Sequence, residues 1–94
     1  MRPEPDQACP LCTAMSPCRK SDGGNARFYE CANCGPAEIT LPAGKELDRT
    51  RTVLHLMLSR AAEKARKAGM VLRITVDPAT RALRHHEVHP DEIK

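Results

Sequence analysis

Two closely spaced pairs of cysteines constrain this chain more than any other feature. Cys9 and Cys12 bracket Pro-Leu, and after 18 intervening residues Cys31 and Cys34 bracket Ala-Asn. Two residues between paired ligands let a tight turn direct both sulfurs at one ion, and two such turns complete a tetrahedron. The spacing therefore predicts one structural Zn²⁺ bound by Cys9, Cys12, Cys31 and Cys34. Iron could bind to the same thiolates. In a pair of iron-binding turns glycine would follow both cysteine pairs, but here Thr13 follows the first pair, so the sequence favours zinc.

Chain length makes the metal important for folding. The sequence has 94 residues, with one Phe, one Tyr and no Trp. A hydrophobic core of this size gives only marginal folding stability without a disulfide, a metal or a partner subunit. Structural zinc can contribute roughly 10–16 kcal/mol of apparent binding free energy to folding. We therefore expect the metal to nucleate the fold of residues 1–41, behind a short flexible lead.

Cysteine usage and hydropathy predict a cytoplasmic protein. The five cysteines are an odd number, and the Cys-x-x-Cys pairing is unlike a secreted disulfide framework. No signal-peptide pattern opens the chain, and the longest apolar run, Val53–Leu58, is too short to span a membrane. The sequence therefore favours a reducing compartment and a free thiol at Cys18, which we interpret as structural because nothing marks it as an activated thiolate.

Positive charge is concentrated after the cysteine pairs. The formal charge is +3, which four thiolates and one Zn²⁺ would reduce to about +1. Residues 1–44 contain four basic and five acidic residues, whereas residues 45–94 contain eleven and seven. Arginine suits bidentate contacts with phosphate or carboxylate, so an anionic partner is one interpretation. A solvated surface of mixed charge is the other.

The pattern of residues predicts a small α+β metal-bound domain. Short strands are expected over residues 16–20, 27–30 and 38–41, with a turn at Gly23-Gly24. Pro42-Ala43-Gly44 is expected to separate this unit from residues 45–94, which are predicted to form one long amphipathic helix and a C-terminal β-hairpin packed on the first unit. The hairpin strands are residues 70–76 and 82–88, with a bulge or an early end because Leu83 and Val88 fall on opposite faces.

The predicted helix extends from Asp48 to Ala68, with Asp48 as its cap and Gly69 as its stop. Its apolar stripe is formed by Leu47, Leu54, Met57, Leu58, Ala61, Ala65 and Ala68. Val53 and Leu56 lie toward the charged face, so the first half of the helix is apolar almost all round. Either the rest of the chain covers these two side chains, or a partner or a second copy does.

The cysteine pairs and the residues around them resemble a zinc ribbon. The resemblance covers residues 9–41 and is carried by Cys9-Pro10-Leu11-Cys12, the Gly23-Gly24 turn, Tyr29-Glu30-Cys31-Ala32-Asn33-Cys34-Gly35 and Glu38-Ile39-Thr40. Zinc ribbons are small β-hairpin units found in transcription factors, polymerase subunits, ribosomal proteins and accessory proteins of nucleic-acid machines. The resemblance implies a metal-nucleated platform and no particular ligand. The remainder of the chain resembles no family.

Three functions are open at this point. The first is a non-catalytic adaptor, regulator or inhibitor that docks onto a protein or a protein–nucleic-acid assembly. The second is direct binding of DNA or RNA by an Arg-rich surface. Partner-binding candidates for these two functions are Val53, Leu56, Arg49, Arg60, Lys64, Lys67 and Arg84. The third is a metal-dependent enzyme using His85, His86 and His89, for which a solvated histidine edge is the simpler interpretation. We expect no enzyme.

Overall fold

The structure is a computed structural model that describes residues 6–49 and 53–94, and for residues 53 and 54 it describes the backbone only. A two-stranded sheet pairs β1, Gln7–Ala8, with β2, Met15–Ser16. The main sheet has five strands: β3, Cys18–Ser21; β4, Ala26–Cys31; β5, Gly35–Thr40; β6, Val71–Val76; and β7, Leu83–Val88. Single 3₁₀ turns span Asp22–Gly24 and Pro90–Glu92.

Two helices connect β5 to β6, two neighbouring strands of the main sheet. The strand order is β3-β4-β5-β6-β7, and every neighbouring pair is antiparallel except β5 and β6, which are parallel. Parallel neighbours need a long crossover connection. Here α1, Leu41–Arg49, and α2, Val53–Lys67, supply it. Strands from both parts of the sequence therefore form one sheet within a small α+β fold.

The prediction of a single helix from Asp48 to Ala68 is wrong, because there are two helices. α1 begins at Leu41, the last residue of the expected third strand, and continues through the Pro42-Ala43-Gly44 segment that was expected to be a linker. The Thr40 hydroxyl accepts a hydrogen bond from the Ala43 amide at 3.3 Å, which caps the helix, and Pro42 is tolerated in a first helical turn. The cap at Thr40 was missed because Pro42 and Gly44 are stronger local signals for a turn. Residues 50–52 lie outside the described residues.

The main core lies between the helices and one face of the sheet. Ala37 and Ile39 of β5 and Leu72 and Ile74 of β6 are buried beneath both helices. The helices contribute the buried side chains Ala43, Leu47, Leu58, Ala62 and Ala65. Cys9, Cys31 and Cys34 belong to the same buried cluster, so the sulfur site and the helix-covered core are continuous.

A second, smaller apolar cluster lies on the other face of the sheet. Phe28, Val71 and Val88 are buried there, and Ile93 packs against them. This cluster explains why the expected bulge in the last strand is absent: β7 pairs with β6 in regular register from Val71↔Val88 to Val76↔Leu83. Leu83 and Val88 face opposite sides because each side has a core to fill. A turn at Asp77-Pro78-Ala79-Thr80 joins the two strands.

A buried ion pair lies beside that second cluster. Glu38 is 3% exposed, and its Oε1 accepts a hydrogen bond from Arg73 Nε at 2.7 Å. Arg73 also donates from Nη2 to the Glu92 carbonyl at 3.4 Å, which holds the C-terminal turn near the sheet. Within the described part of the chain, no helix combines the length and the hydropathy needed to cross a membrane.

Candidate metal centre

The first cysteine pair lies in the turn that joins β1 to β2. The Cys9 amide donates to the Ala14 carbonyl at 2.8 Å, and the Thr13 amide donates to the Cys9 carbonyl at 2.8 Å. Thr13 has a φ of 67°, the left-handed conformation that glycine usually provides at such a turn. The sequence lacks glycine at this position, yet the turn still closes.

The second pair lies where β4 ends and β5 begins. Cys31 is the last residue of β4, and the Cys34 amide donates to Cys31 Sγ at 3.3 Å, so the backbone itself stabilises a sulfur anion. Gly35 opens β5 with a φ of 108°, which is unfavourable for a residue with a side chain.

The fold brings the four sulfurs together. They all lie within 4.8 Å of one another, and Cys12 Sγ and Cys31 Sγ are 3.5 Å apart. Zinc–sulfur bonds of about 2.3 Å in a tetrahedron place neighbouring sulfurs about 3.8 Å apart, which fits this spacing. Cys9, Cys31 and Cys34 are buried, and Cys12 is half-buried. The site could therefore hold a metal ion such as zinc, with four protein ligands and no position left for substrate.

The thiols differ in their affinity for protons. Burial raises the pKa of Cys9 to about 11 and also raises the pKa of Cys34. Burial alone would raise the pKa of Cys31 too, but hydrogen bonds from the Ser16 hydroxyl and from neighbouring amides outweigh it and lower that pKa to about 6. Cys31 therefore ionises more readily than Cys9 and Cys34 in the metal-free protein.

Sequence reasoning missed the contribution of α2 to this site. Ser59 Oγ lies 3.0 Å from Cys34 Sγ, and Arg66 Nη1 donates to the Ala32 carbonyl at 3.1 Å. The only sequence signal is spacing: Ser59, Ala62 and Arg66 occur at i, i+3 and i+7, so they share one side of a helix. That signal has meaning only once the helix is known to pack on the second cysteine pair.

Cys18 is not part of the four-sulfur group. It lies in β3 opposite Tyr29 and is buried in the main core. Its thiol is free, as are those of the four clustered cysteines. A small buried side chain is the role that this position supports.

The three C-terminal histidines do not form a second metal site. His85 and His86 are neighbours on β7, so they point to opposite faces of the sheet, and both are exposed. His89 lies beyond the strand, where its Nδ1 accepts from the Asp91 amide at 3.3 Å and caps the last 3₁₀ turn. Across residues 6–49 and 53–94, the four cysteines are the only group of three or more such ligands close enough to hold an ion.

The partner-binding candidates from the sequence separate into different surfaces. Leu56, Arg60, Lys64 and Lys67 are exposed on α2. Arg49 is on α1 and pairs with Glu46 at 3.2 Å. Arg84 lies on the sheet face away from the helices and pairs with Asp77 at 2.9 Å. The side chain of Val53 lies outside the described residues.

Met57 differs from its predicted environment. The helical pattern placed it in the buried stripe with Leu58, but its side chain is 59% exposed. Leu56 next to it is 54% exposed, as expected for a residue toward the charged face. Leu58, Ala62 and Ala65 supply the buried stripe instead.

Support for the metal centre comes from this chain's own sulfur donors and their geometry. Comparison with protein-family models, with curated proteins and with solved structures finds no match to this chain.

Proposed function

We propose that this protein is a non-catalytic zinc-ribbon interaction module. One Zn²⁺ bound by the four cysteines would stabilise the fold, and α2 would dock onto a protein or a protein–nucleic-acid assembly. A closed set of four thiolates supports a structural ion, because catalytic zinc sites keep a position open for water or substrate. Two ligand turns separated by antiparallel strands support the resemblance to a zinc ribbon. Thiolate ligands suit the reducing cytoplasm.

The observation that carries the docking proposal is the exposed surface of α2. We call it the docking face and define it as Leu56, Met57, Arg60 and Lys64. Leu56 and Met57 expose more than half of their side-chain surface next to one another, and the two cations follow within the next two turns. Exposed apolar side chains on a helix can serve as anchors in the groove of a partner.

The charge of the docking face indicates the chemistry of the partner. Arg60 and Lys64 are exposed, and Lys67 extends the basic line while pairing with Glu63 at 3.5 Å. An acidic protein surface with an apolar pocket would complement this arrangement. Charge complementarity would mainly speed association, whereas burial of Leu56 and Met57 would supply most of the affinity.

The test is affinity capture from the native host with matched variants. The double substitution Leu56→Ser and Met57→Ser should abolish recovery of a specific partner while leaving the thermal unfolding of the protein unchanged. Met15→Ser is the control, because Met15 is 66% exposed on β2 and lies outside the docking face. Equal partner recovery with both variants, or lost folding in the double variant, would contradict the proposal.

Direct binding of nucleic acid is the second candidate, supported by the same exposed cations on α2. It predicts an affinity for duplex DNA or single-stranded RNA that falls steeply between about 50 and 200 mM salt. In a plot of the logarithm of the association constant against the logarithm of salt concentration, each phosphate contact should contribute a slope of about −1. Arg60→Glu with Lys64→Glu should weaken binding strongly. Arg84→Glu is the control, since it lies on the opposite side of the sheet. Binding that is absent or insensitive to salt would exclude this candidate.

An enzyme using His85, His86 and His89 is the third and weakest candidate, since the three side chains do not converge. Metal stoichiometry tests it directly. One zinc per chain would leave the histidines without an ion, whereas two would require a second site.

A further inference from the structure

One side of α2 rests directly on the second cysteine pair. Ser59, Ala62 and Arg66 form this side, which we call the α2 seat. They occur at i, i+3 and i+7, so they lie in line along the helix. Each of them contacts the segment from residue 32 to residue 35, which contains or adjoins the metal-binding sulfurs.

Ser59 contacts a sulfur atom itself. Its Oγ lies 3.0 Å from Sγ of Cys34, and Cys34 is only 1% exposed. A metal-bound thiolate carries no proton, so in the metal-bound protein the serine hydroxyl must be the donor. Four thiolates around one divalent ion carry a net charge of −2 in a largely buried place, and hydrogen bonds to the sulfurs offset the cost of burying that charge.

Ala62 and Arg66 bring the helix close to the backbone of the same turn. A Cβ on Gly35 would lie 2.9 Å from the Ala62 carbonyl oxygen and 3.0 Å from Cβ of Arg66, so the helix leaves no room for a side chain there. Arg66 also donates to the Ala32 carbonyl at 3.1 Å. The position of α2 and the shape of the metal-binding turn therefore depend on each other.

We propose that Ser59 is a positioning residue of the metal centre and that the α2 seat couples metal binding to the placement of α2. The docking face begins within one turn of Ser59 on the same helix, so metal loading fixes how that face is presented. The coupling is reciprocal, because a partner that holds α2 in place also tightens metal binding. This inference rests on the proposed four-thiolate metal site.

The experiment compares four full-length proteins: the natural sequence, Ser59→Ala, Ser59→Thr and Ser21→Ala. Zinc affinity is measured by competition with a chromophoric chelator, and the Co²⁺-loaded proteins are compared by absorption. Ser21 is the matched control, because its hydroxyl is buried in β3 and has no hydrogen-bond partner among the residues that the structure describes. Alanine has a higher helix propensity than serine, so Ser59→Ala does not weaken α2 through propensity.

We expect Ser59→Ala to lower zinc affinity roughly 10- to 100-fold. It should also move the thiolate-to-cobalt charge-transfer band to lower energy, because one sulfur loses a donor. In the metal-loaded protein, amides of α2 should exchange faster with solvent, while those of the β6–β7 hairpin should not change. Ser59→Thr keeps the hydroxyl and should restore all three properties, and Ser21→Ala should match the natural sequence.

Several results would overturn the inference. They are an unchanged affinity and spectrum in Ser59→Ala, an equal loss in Ser21→Ala, and unaltered exchange of α2 despite weaker binding. If Ser59→Ala takes up no Co²⁺ at all, recovery in Ser59→Thr supports the inference, and failure of both variants overturns it. A natural sequence that binds no zinc would instead disprove the metal site itself, which separates the two failures.

Discussion

Each sulfur of the four-cysteine site has its own electrostatic environment. Against the effect of burial, Ser16 and the Cys34 amide lower the pKa of Cys31, whereas burial raises the pKa values of Cys9 and Cys34. The sequence predicts which cysteines meet, because Cys-x-x-Cys spacing reports a local turn. It cannot predict that the pKa of Cys31 lies below those of Cys9 and Cys34, because these pKa values depend on partners such as Ser16 and Ser59 that approach from other elements.

These differences predict how metal affinity depends on pH. At pH 7 the raised pKa values keep Cys9 and Cys34 protonated in the metal-free protein, so zinc must displace those protons. Affinity should therefore fall as the pH is lowered from 8. The fall should become steeper below about pH 6, where Cys31 also takes up a proton. Chelator competition between pH 5.5 and 8 measures the slope, and an affinity independent of pH would contradict this assignment.

The buried Glu38–Arg73 pair gives a second prediction about single residues. Arg73→Leu leaves the 3%-exposed carboxylate of Glu38 without its cation and should cost about 3–5 kcal/mol in the free energy of unfolding. Replacing both residues with leucine should recover most of that loss, because no charge stays buried. Denaturant unfolding measures both changes.

Arg84→Leu is the control for that pair. Arg84 is largely exposed where it contacts Asp77, so its loss should hardly move the unfolding midpoint. A double variant at Glu38 and Arg73 that is as unstable as Arg73→Leu alone would show that the effect comes from lost packing and not from an unpaired charge.

At the scale of elements, the hairpins and α2 are easier to predict than α1. Strands β6 and β7 alternate apolar and polar residues around an Asp-Pro turn, and α2 has a helical stripe ending at Gly69, so local pattern suffices. α1 contains Pro42 and Gly44, which locally favour a turn. It becomes helical because Thr40 caps it and because burial of Ala43 and Leu47 against the sheet outweighs the local preference.

Contact between α2 and the second cysteine pair yields a prediction at Gly35. Gly35→Ala combines an unfavourable positive φ with a Cβ only 2.9 Å from the Ala62 carbonyl, and it should cost roughly 2–3 kcal/mol in unfolding free energy. Gly23→Ala is the matched control. Its φ is also positive, but no atom of residues 6–49 or 53–94 lies within 4 Å of an added Cβ, so we expect a cost of about 1 kcal/mol. Equal thermal shifts for the two variants would show that α2 does not press on this turn.

For the whole molecule, the main consequence of the fold is that the sulfur site and the helix-covered core are one buried cluster. Removing zinc with excess chelator should therefore destabilise the entire chain. We expect the midpoint of thermal unfolding, followed by circular dichroism, to fall by more than about 15 °C, since one kcal/mol corresponds to roughly 4–8 °C for a domain of this size.

Variants at single cysteines check the origin of that effect. Cys34→Ser should reproduce the loss without a chelator, whereas Cys18→Ser, at a buried cysteine outside the four-sulfur group, should still bind one zinc. A chelated protein that unfolds at the same temperature as the zinc-loaded protein would show that the metal is not structural.

The sheet order is the feature that the sequence could not supply. Alternation predicts strands, but nothing local indicates that β5 and β6, separated by two helices, lie side by side with Ala37 opposite Leu72. Glu38 and Arg73 face each other only because of that register. Such long-range pairing depends on the total burial achieved by the chain and not on any one segment.

The parallel pairing of β5 with β6 also limits how the molecule can be divided. Transplanting the cysteine unit into another scaffold would separate β5 from β6 in the main sheet. The separation would expose the backbone amides and carbonyls of β5 as a free strand edge, which favours aggregation. A transplanted segment would therefore need to include the β6–β7 hairpin as well as the cysteine unit.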